Sequence, residues 1–100
     1  MRTEEEVLQE IIDLDGQDDN AAFEKFLEIA AIGIESDDDS VHIMGLMNAA
    51  ALACKKGNYD LCLEMSDKAR VVDEEIWTEY LQEPHMYEMM KALSDSGAFD

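Results

Sequence analysis

The fold of this chain is decided by the stretch Val41-His42-Ile43-Met44-Gly45-Leu46-Met47-Asn48-Ala49-Ala50-Ala51-Leu52-Ala53-Cys54-Lys55-Lys56. Its apolar residues lie on all sides of a helix, which is typical of a helix at the centre of a protein. The two final lysines suit the negative end of the helix dipole, and Gly57 is a natural stop. We therefore predict a central helix over about 41–56. Because alanine lets helices approach closely, we also expect tight helix contacts at Ala50, Ala53 and Ala69.

Two helices are predicted before this stretch. Thr3 and Glu6 form a capping-box pattern, apolar residues follow at helical spacing, and Gly16 ends the helix. Asp18 to Asn20 can cap a second helix, with a stripe at Phe23, Phe26, Leu27, Ala30 and Ile34. The segment 36–40, Ser-Asp-Asp-Asp-Ser, is a polar break that supplies further cap candidates.

Three helices are predicted after it. One covers about 59–72, a second starts at Asp73 or Glu74, and Pro84 suits the first turn of a third that ends at Gly97. The length fits one domain. We therefore expect residues 1–100 to form a single all-α domain, a compact bundle of five or six helices.

The segment from Ala53 to Asp73 resembles one tetratricopeptide (TPR) unit across its inter-helix turn. The places that this family gives to the turn and to small residues are held by Gly57, Tyr59, Cys62 and Ala69. The chain departs from the family where it has Ala50 in place of a frequent glycine and Glu74 in place of the closing proline. The resemblance implies antiparallel helix-hairpin packing of the TPR type around residues 41–74.

The formal net charge is −18, from 25 acidic and 7 basic side chains. Because 47% of the residues are hydrophobic, this is not the composition of a disordered acidic tail. Direct binding to nucleic acid is disfavoured, since neutralising phosphates requires clustered Lys and Arg. Anionic lipid surfaces are disfavoured for the same reason, and no apolar run is long enough to span a bilayer. The charge instead indicates a protein partner with a basic surface.

The two cysteines, Cys54 and Cys62, lie in helix-like sequence rather than in a cysteine-dense, loop-rich frame. This usage is typical of a reduced compartment, and the first residues show no apolar signal segment. We therefore expect a cytoplasmic protein.

Three segments or residue sets contain side chains that metals bind, and each has a simpler interpretation. The segment 13–24 begins with Asp-x-Asp and has Glu24 at the twelfth place, as in a calcium loop, but Asp18 stands where the turn needs glycine. A zinc site would need the four ligands Cys54, Cys62, His42 and His85. A copper(I) site would use His85, Met86, Met89 and Met90. An acidic capped turn, two buried thiols and methionines in a core are favoured instead, so no metal or cofactor is predicted.

The sequence shows no catalytic motif. No serine or cysteine has a neighbouring histidine in a recognisable arrangement, and no glycine-rich loop could hold a phosphate. We therefore expect a protein that is not an enzyme.

The favoured function is an acidic inhibitor or nucleic-acid mimic that occupies a partner's basic surface, in the style of defence-nuclease inhibitors and immunity proteins. A small domain is soluble at a net charge of roughly 2–8 in magnitude, so −18 exceeds what solubility needs. The alternative is a TPR-like adaptor or dimerising scaffold that binds a protein or peptide through apolar surface. Its anchors would be Trp77, Tyr80, Met86, Met89 and Met90. The residues predicted to bind a basic partner are Asp13, Asp15, Asp18, Asp19, Glu35, Asp37, Asp38, Asp39, Asp73, Glu74, Glu75, Glu79 and Glu83.

Overall fold

The computed structural model describes residues 2–97, and this part of the chain contains helices and no strand. The elements are α1 (Glu4–Leu14), α2 (Asp19–Glu35), α3 (Asp39–Lys55), α4 (Tyr59–Val72), α5 (Glu74–Leu81) and α6 (Pro84–Asp95). The predicted all-α bundle of five or six helices is confirmed. The Cα radius of gyration is 13.0 Å, about what a compact chain of this length should have.

Side-chain caps set most of the helix starts. Asp18, Asp38 and Asp73 each accept a backbone N–H from the residue three positions on, at the first turns of α2, α3 and α5. Thr3 and Asn58 do the same for α1 and α4. Because each cap satisfies a donor that the helix cannot, these short polar residues fix where the chain turns.

Helix α3 lies at the centre, as predicted, and packs against α2, α4, α5 and α6. Short turns make α2, α3 and α4 antiparallel neighbours, and an ion pair of 3.1 Å joins Lys55 at the end of α3 to Asp19 at the start of α2. The three predicted alanines, Ala50, Ala53 and Ala69, are all buried in one core cluster. That cluster also contains Met86, Met89 and Leu93 of α6.

Helices α2 and α3 approach each other closely at two glycines. A Cβ atom on Gly33 would lie 2.3 Å from the backbone nitrogen of His42. A Cβ on Gly45 would lie 2.5 Å from the backbone of both Ala30 and Phe26. The α2–α3 contact therefore depends on the absence of side chains at these positions.

The turn between α3 and α4 is built as its sequence predicts. Gly57 has φ +83°, and the N–H groups of Gly57 and Asn58 donate to the carbonyls of Cys54 and Ala53. This pair of hydrogen bonds is the Schellman motif, which needs a residue in the left-handed conformation at the position of Gly57. Packing of the TPR type over 41–74 remains a prediction.

None of the helices within residues 2–97 has the length and apolar character required to cross a membrane.

Candidate protein-binding surfaces

All of the predicted acidic residues except Glu79 and Glu83 form two groups at opposite ends of α2. The turn 13–19 lies at its start and the segment 35–39 follows its end, about 25 Å away along the axis. Because α4 runs antiparallel to α3, Asp73 and the start of α5 lie at the same end as 35–39. We call this second group, residues 35–39 with 73–75, the acidic end. The structure thus brings these two segments together and separates them from the turn 13–19.

Several of these carboxylates also shape the backbone. Asp18, Asp38 and Asp73 are the helix caps already described, and Asp19 pairs with Lys55. Asp15 and Asp37 adopt left-handed conformations, with φ of 50° and 54°. Aspartate tolerates this conformation better than most residues, so the backbone of the turns accounts for the presence of aspartate at these two positions.

A recess beside the acidic end adds a residue that the sequence interpretation missed. Its lining includes Glu4 from α1, Ser40 and Val41 from α3, Glu79 from α5, and Glu83 from the turn before α6, around a volume of about 370 Å³. Glu79 and Glu83 were predicted and Glu4 was not. The fold of α1 back along α2 carries Glu4 to this end, and no local sequence signal shows that.

Five of the seven basic side chains are already in ion pairs within residues 2–97, namely Arg2, Lys25, Lys55, Lys68 and Arg70. One group of ion pairs joins α1 to α2: Arg2 contacts both Glu10 and Glu28, and Lys25 contacts Glu10 at 2.6 Å. The hydrogen bond from Arg2, helped by Lys25, lowers the pKa of Glu10 from 4.5 to about 2. Arg2 also lowers the pKa of Glu28. None of these ion pairs involves the carboxylates of the acidic end.

A second surface is apolar. Between α2 and α4, above α3, runs an open groove of about 910 Å³, which we call the α2–α4 groove. Its apolar lining comes from all three helices and comprises Leu27, Ala30, Ala31, Ile34, Leu46, Leu63, Val71 and Val72. Its polar lining comprises His42 on α3 with Asp60, Glu64, Asp67 and Lys68 on α4. Two large apolar side chains on its edges are unusually exposed: Ile34 at 62% and Val71 at 80%.

The apolar anchors proposed from the sequence lie elsewhere. Met86 and Met89 are buried in the core and cannot form a contact surface, so this part of the interpretation is wrong. Trp77 is partly buried against the core, and its Nε1 donates to Ser66 Oγ at 3.1 Å. Tyr80 is partly buried, with its hydroxyl accepting from Asn48 Nδ2 at 2.6 Å. Burial raises the pKa of Tyr80.

The cysteines and histidines do not form a ligand set. Among residues 2–97, no group of three or more His, Cys, Asp or Glu is arranged to hold a metal ion. Burial raises the pKa of the Cys54 thiol and raises that of Cys62 to about 12, so both are protonated core side chains. His42 lies in the α2–α4 groove, whereas the ring of His85 meets the ring of Tyr80 edge-on at 5.6 Å.

The calcium-like segment 13–24 is not an open loop. Helix α1 continues through Leu14 and α2 begins at Asp19, which leaves a short turn between them. Asp18 and Asp19 are engaged with the Ala21 N–H and with Lys55.

Comparison with known proteins finds no matching family model, no similar curated protein and no similar solved structure.

Proposed function

We propose that this protein is a non-enzymatic, cytoplasmic binding protein that occupies the basic surface of another protein, as an inhibitor or nucleic-acid mimic would. The observation that supports the proposal is the charge distribution. The acidic end is exposed apart from the cap residue Asp73, and it takes part in none of the ion pairs found within residues 2–97.

The charge also suits the physics of recognition. Concentrated like charge on a small protein attracts an oppositely charged partner from a distance and speeds association. Duplex DNA carries one charge per roughly 1.7 Å of axis, so a protein that replaces it must present many carboxylates close together. The acidic end supplies Glu35, Asp37 and Asp39, which are not helix caps in the structure.

The test uses a variant that removes charge and spares the caps. Glu35→Gln, Asp37→Asn and Asp39→Asn together neutralise three carboxylates at the acidic end, while Asp38 still caps α3. The matched control, Glu5→Gln, Glu24→Gln and Glu88→Gln, neutralises three exposed carboxylates outside the predicted residues. Immobilised parent protein captures partners from an extract of the source cells, and each partner is then purified for binding assays.

We expect a captured basic protein to bind more weakly as salt rises from 0.1 M, where the Debye length is about 10 Å, to 1 M, where it is about 3 Å. Duplex DNA should compete for the same partner, and the acidic-end variant should bind more weakly than the control variant. Equal binding by all three proteins, without salt dependence or competition by DNA, would make the charge only a solubility feature.

A second candidate function is a peptide-binding adaptor, and the α2–α4 groove favours it. Ile34 and Val71 are large apolar side chains that the fold leaves in solvent on either side of an apolar floor. Exposed apolar area of this kind commonly marks a protein-binding site.

A further inference from the structure

The α2–α4 groove is long enough for about three turns of a bound helix. Its α4 edge runs from Asp60 to Val71, which is about 16 Å along the helix axis, or three turns. A helix laid between two others, over a third, contacts its neighbours at axial distances of about 8–10 Å. The floor of Leu27, Ala30 and Leu46 is apolar and could cover one face of such a helix.

The charge of the α4 edge indicates what the other face of that helix carries. Asp60, Glu64 and Asp67 line the edge together with Lys68, which contacts Glu64 at 3.7 Å. Arg70, outside the lining, contacts Asp67 at 3.9 Å. Exposed ion pairs of this kind contribute little, so these carboxylates stay available to a partner's cations. The net charge of −18 also favours a partner that carries positive charge.

We propose that the α2–α4 groove binds an amphipathic helix of another protein, with its apolar stripe on the floor and Lys or Arg side chains against the α4 edge. This inference rests on the second candidate function and names its class of partner. Amphipathic helices commonly bind in apolar grooves through residues at i, i+3, i+4 and i+7.

A second copy of this chain is a poorer occupant. Two molecules of charge −18 repel each other, and the α4 edge would meet further carboxylates. Burying the exposed Ile34 and Val71 side chains against a cationic partner gains apolar contact without that repulsion.

The experiment uses a fluorescent synthetic peptide of about 14 residues, made only of Leu and Lys, with the leucines at helical spacing. A scrambled peptide of the same composition keeps the charge and loses the stripe. A Leu/Glu peptide keeps the stripe and reverses the charge. Dissociation constants are measured by fluorescence anisotropy against the full chain.

The groove variant is Ile34→Asn with Val71→Asn. Its matched control is Ile12→Asn with Tyr87→Asn, which changes two apolar side chains that are 66% and 73% exposed and lie outside the groove lining. Thermal unfolding of each variant is followed by circular dichroism, so that a loss of fold is recognised.

We expect the Leu/Lys peptide to bind the parent about tenfold more tightly than the scrambled peptide, and the folded groove variant to lose about the same factor. The control variant should bind like the parent, and the Leu/Glu peptide should not bind. The groove proposal would be overturned if the parent bound the Leu/Lys and scrambled peptides equally tightly. It would also be overturned if the groove variant and the control variant bound the Leu/Lys peptide equally tightly. The acidic-surface proposal would survive that result, because its test depends on other residues.

Analytical ultracentrifugation of the parent and the groove variant completes the test. A monomeric parent agrees with the proposal. A dimeric parent that dissociates on Ile34→Asn with Val71→Asn would show that a second copy occupies the groove, which would overturn it.

Discussion

The two sides of α3 are packed by opposite means. Towards α2, the contact depends on Gly33 and Gly45, where the backbones leave no room for a Cβ atom. Towards α6, it depends on long side chains, Met86, Met89 and Leu93, that fill the space between helices. The difference shows that the distance between helices can be set by glycines, which have no side chain, on one side of α3 and by large side chains on the other. The first contact should not tolerate added atoms, and the second should not tolerate removed ones.

The largest effect is expected on the α6 side. Met86 is completely buried, so Met86→Ala should leave a cavity and lower the free energy of unfolding by about 3 kcal/mol. Denaturant unfolding followed by circular dichroism measures it. Met86→Leu is the control, since it nearly conserves volume and should cost less than about 1.5 kcal/mol. An unchanged midpoint for Met86→Ala would mean that α6 does not unfold with the rest.

A smaller loss is expected on the α2 side. Gly45→Ala forces a methyl group against the backbone of Ala30 and Phe26, at a cost of about 3 kcal/mol. Alanine is better than glycine in a helix by about 1 kcal/mol, so the net loss should be about 2 kcal/mol. Denaturant unfolding again gives the value.

Gly16→Ala separates crowding from backbone strain. Gly16 has φ +71° and no atom within 4 Å of an added Cβ, so its cost is conformational, about 1 kcal/mol. If Gly45→Ala were no worse than Gly16→Ala, the close α2–α3 approach would not limit stability.

These contacts also show what the sequence could and could not predict. The six helices follow from local signals, because apolar periodicity and the caps Asp18, Asp38 and Asp73 act within a few residues. The central position of α3 follows from its apolar residues on all sides. Gly33 and Gly45 also indicate a close contact, since glycine inside an apolar helix commonly has a packing reason, whereas the close contacts predicted from the sequence lie at the alanines.

The surfaces were harder to predict because they depend on tertiary placement. Met86 and Trp77 have the same kind of helical spacing, yet one is fully buried and the other only partly. The α2–α4 groove combines residues from three helices, so no local pattern in 27–72 marks it. Likewise, Glu4 reaches Glu79 and Glu83 only through the path of α1.

A still smaller effect is expected where α4 meets α5. Trp77→Phe removes the indole N–H that bonds to the buried Ser66 Oγ, and should cost about 1 kcal/mol. A double-mutant cycle with Ser66→Ala isolates the hydrogen bond from the lost ring volume. A coupling energy of zero would indicate that Trp77 acts only by packing.

The smallest effect is the pH dependence of the Arg2 ion pairs, which join α1 to α2. The pKa of Glu10 is lowered to about 2, and that of Glu28 is lowered too, so their contribution is fully present above pH 4.5. It is lost as the pH falls through the folded-state pKa, because protonated carboxyl groups no longer pair with Arg2. Arg2→Gln should therefore lower the melting temperature slightly at pH 5 and by a smaller amount at pH 2, where Glu10 is partly protonated.

Comparison with a second variant removes the effect of net charge. Acidification also relieves the repulsion among the remaining carboxylates, which changes every melting temperature in the same direction. Lys91→Gln removes the same unit of charge from a lysine that takes part in none of the ion pairs found within residues 2–97. The difference between the two variants reports the ion pairs alone, and it should shrink between pH 5 and pH 2. A difference independent of pH would show that Arg2 stabilises α1 through packing of its aliphatic chain rather than through Glu10 and Glu28.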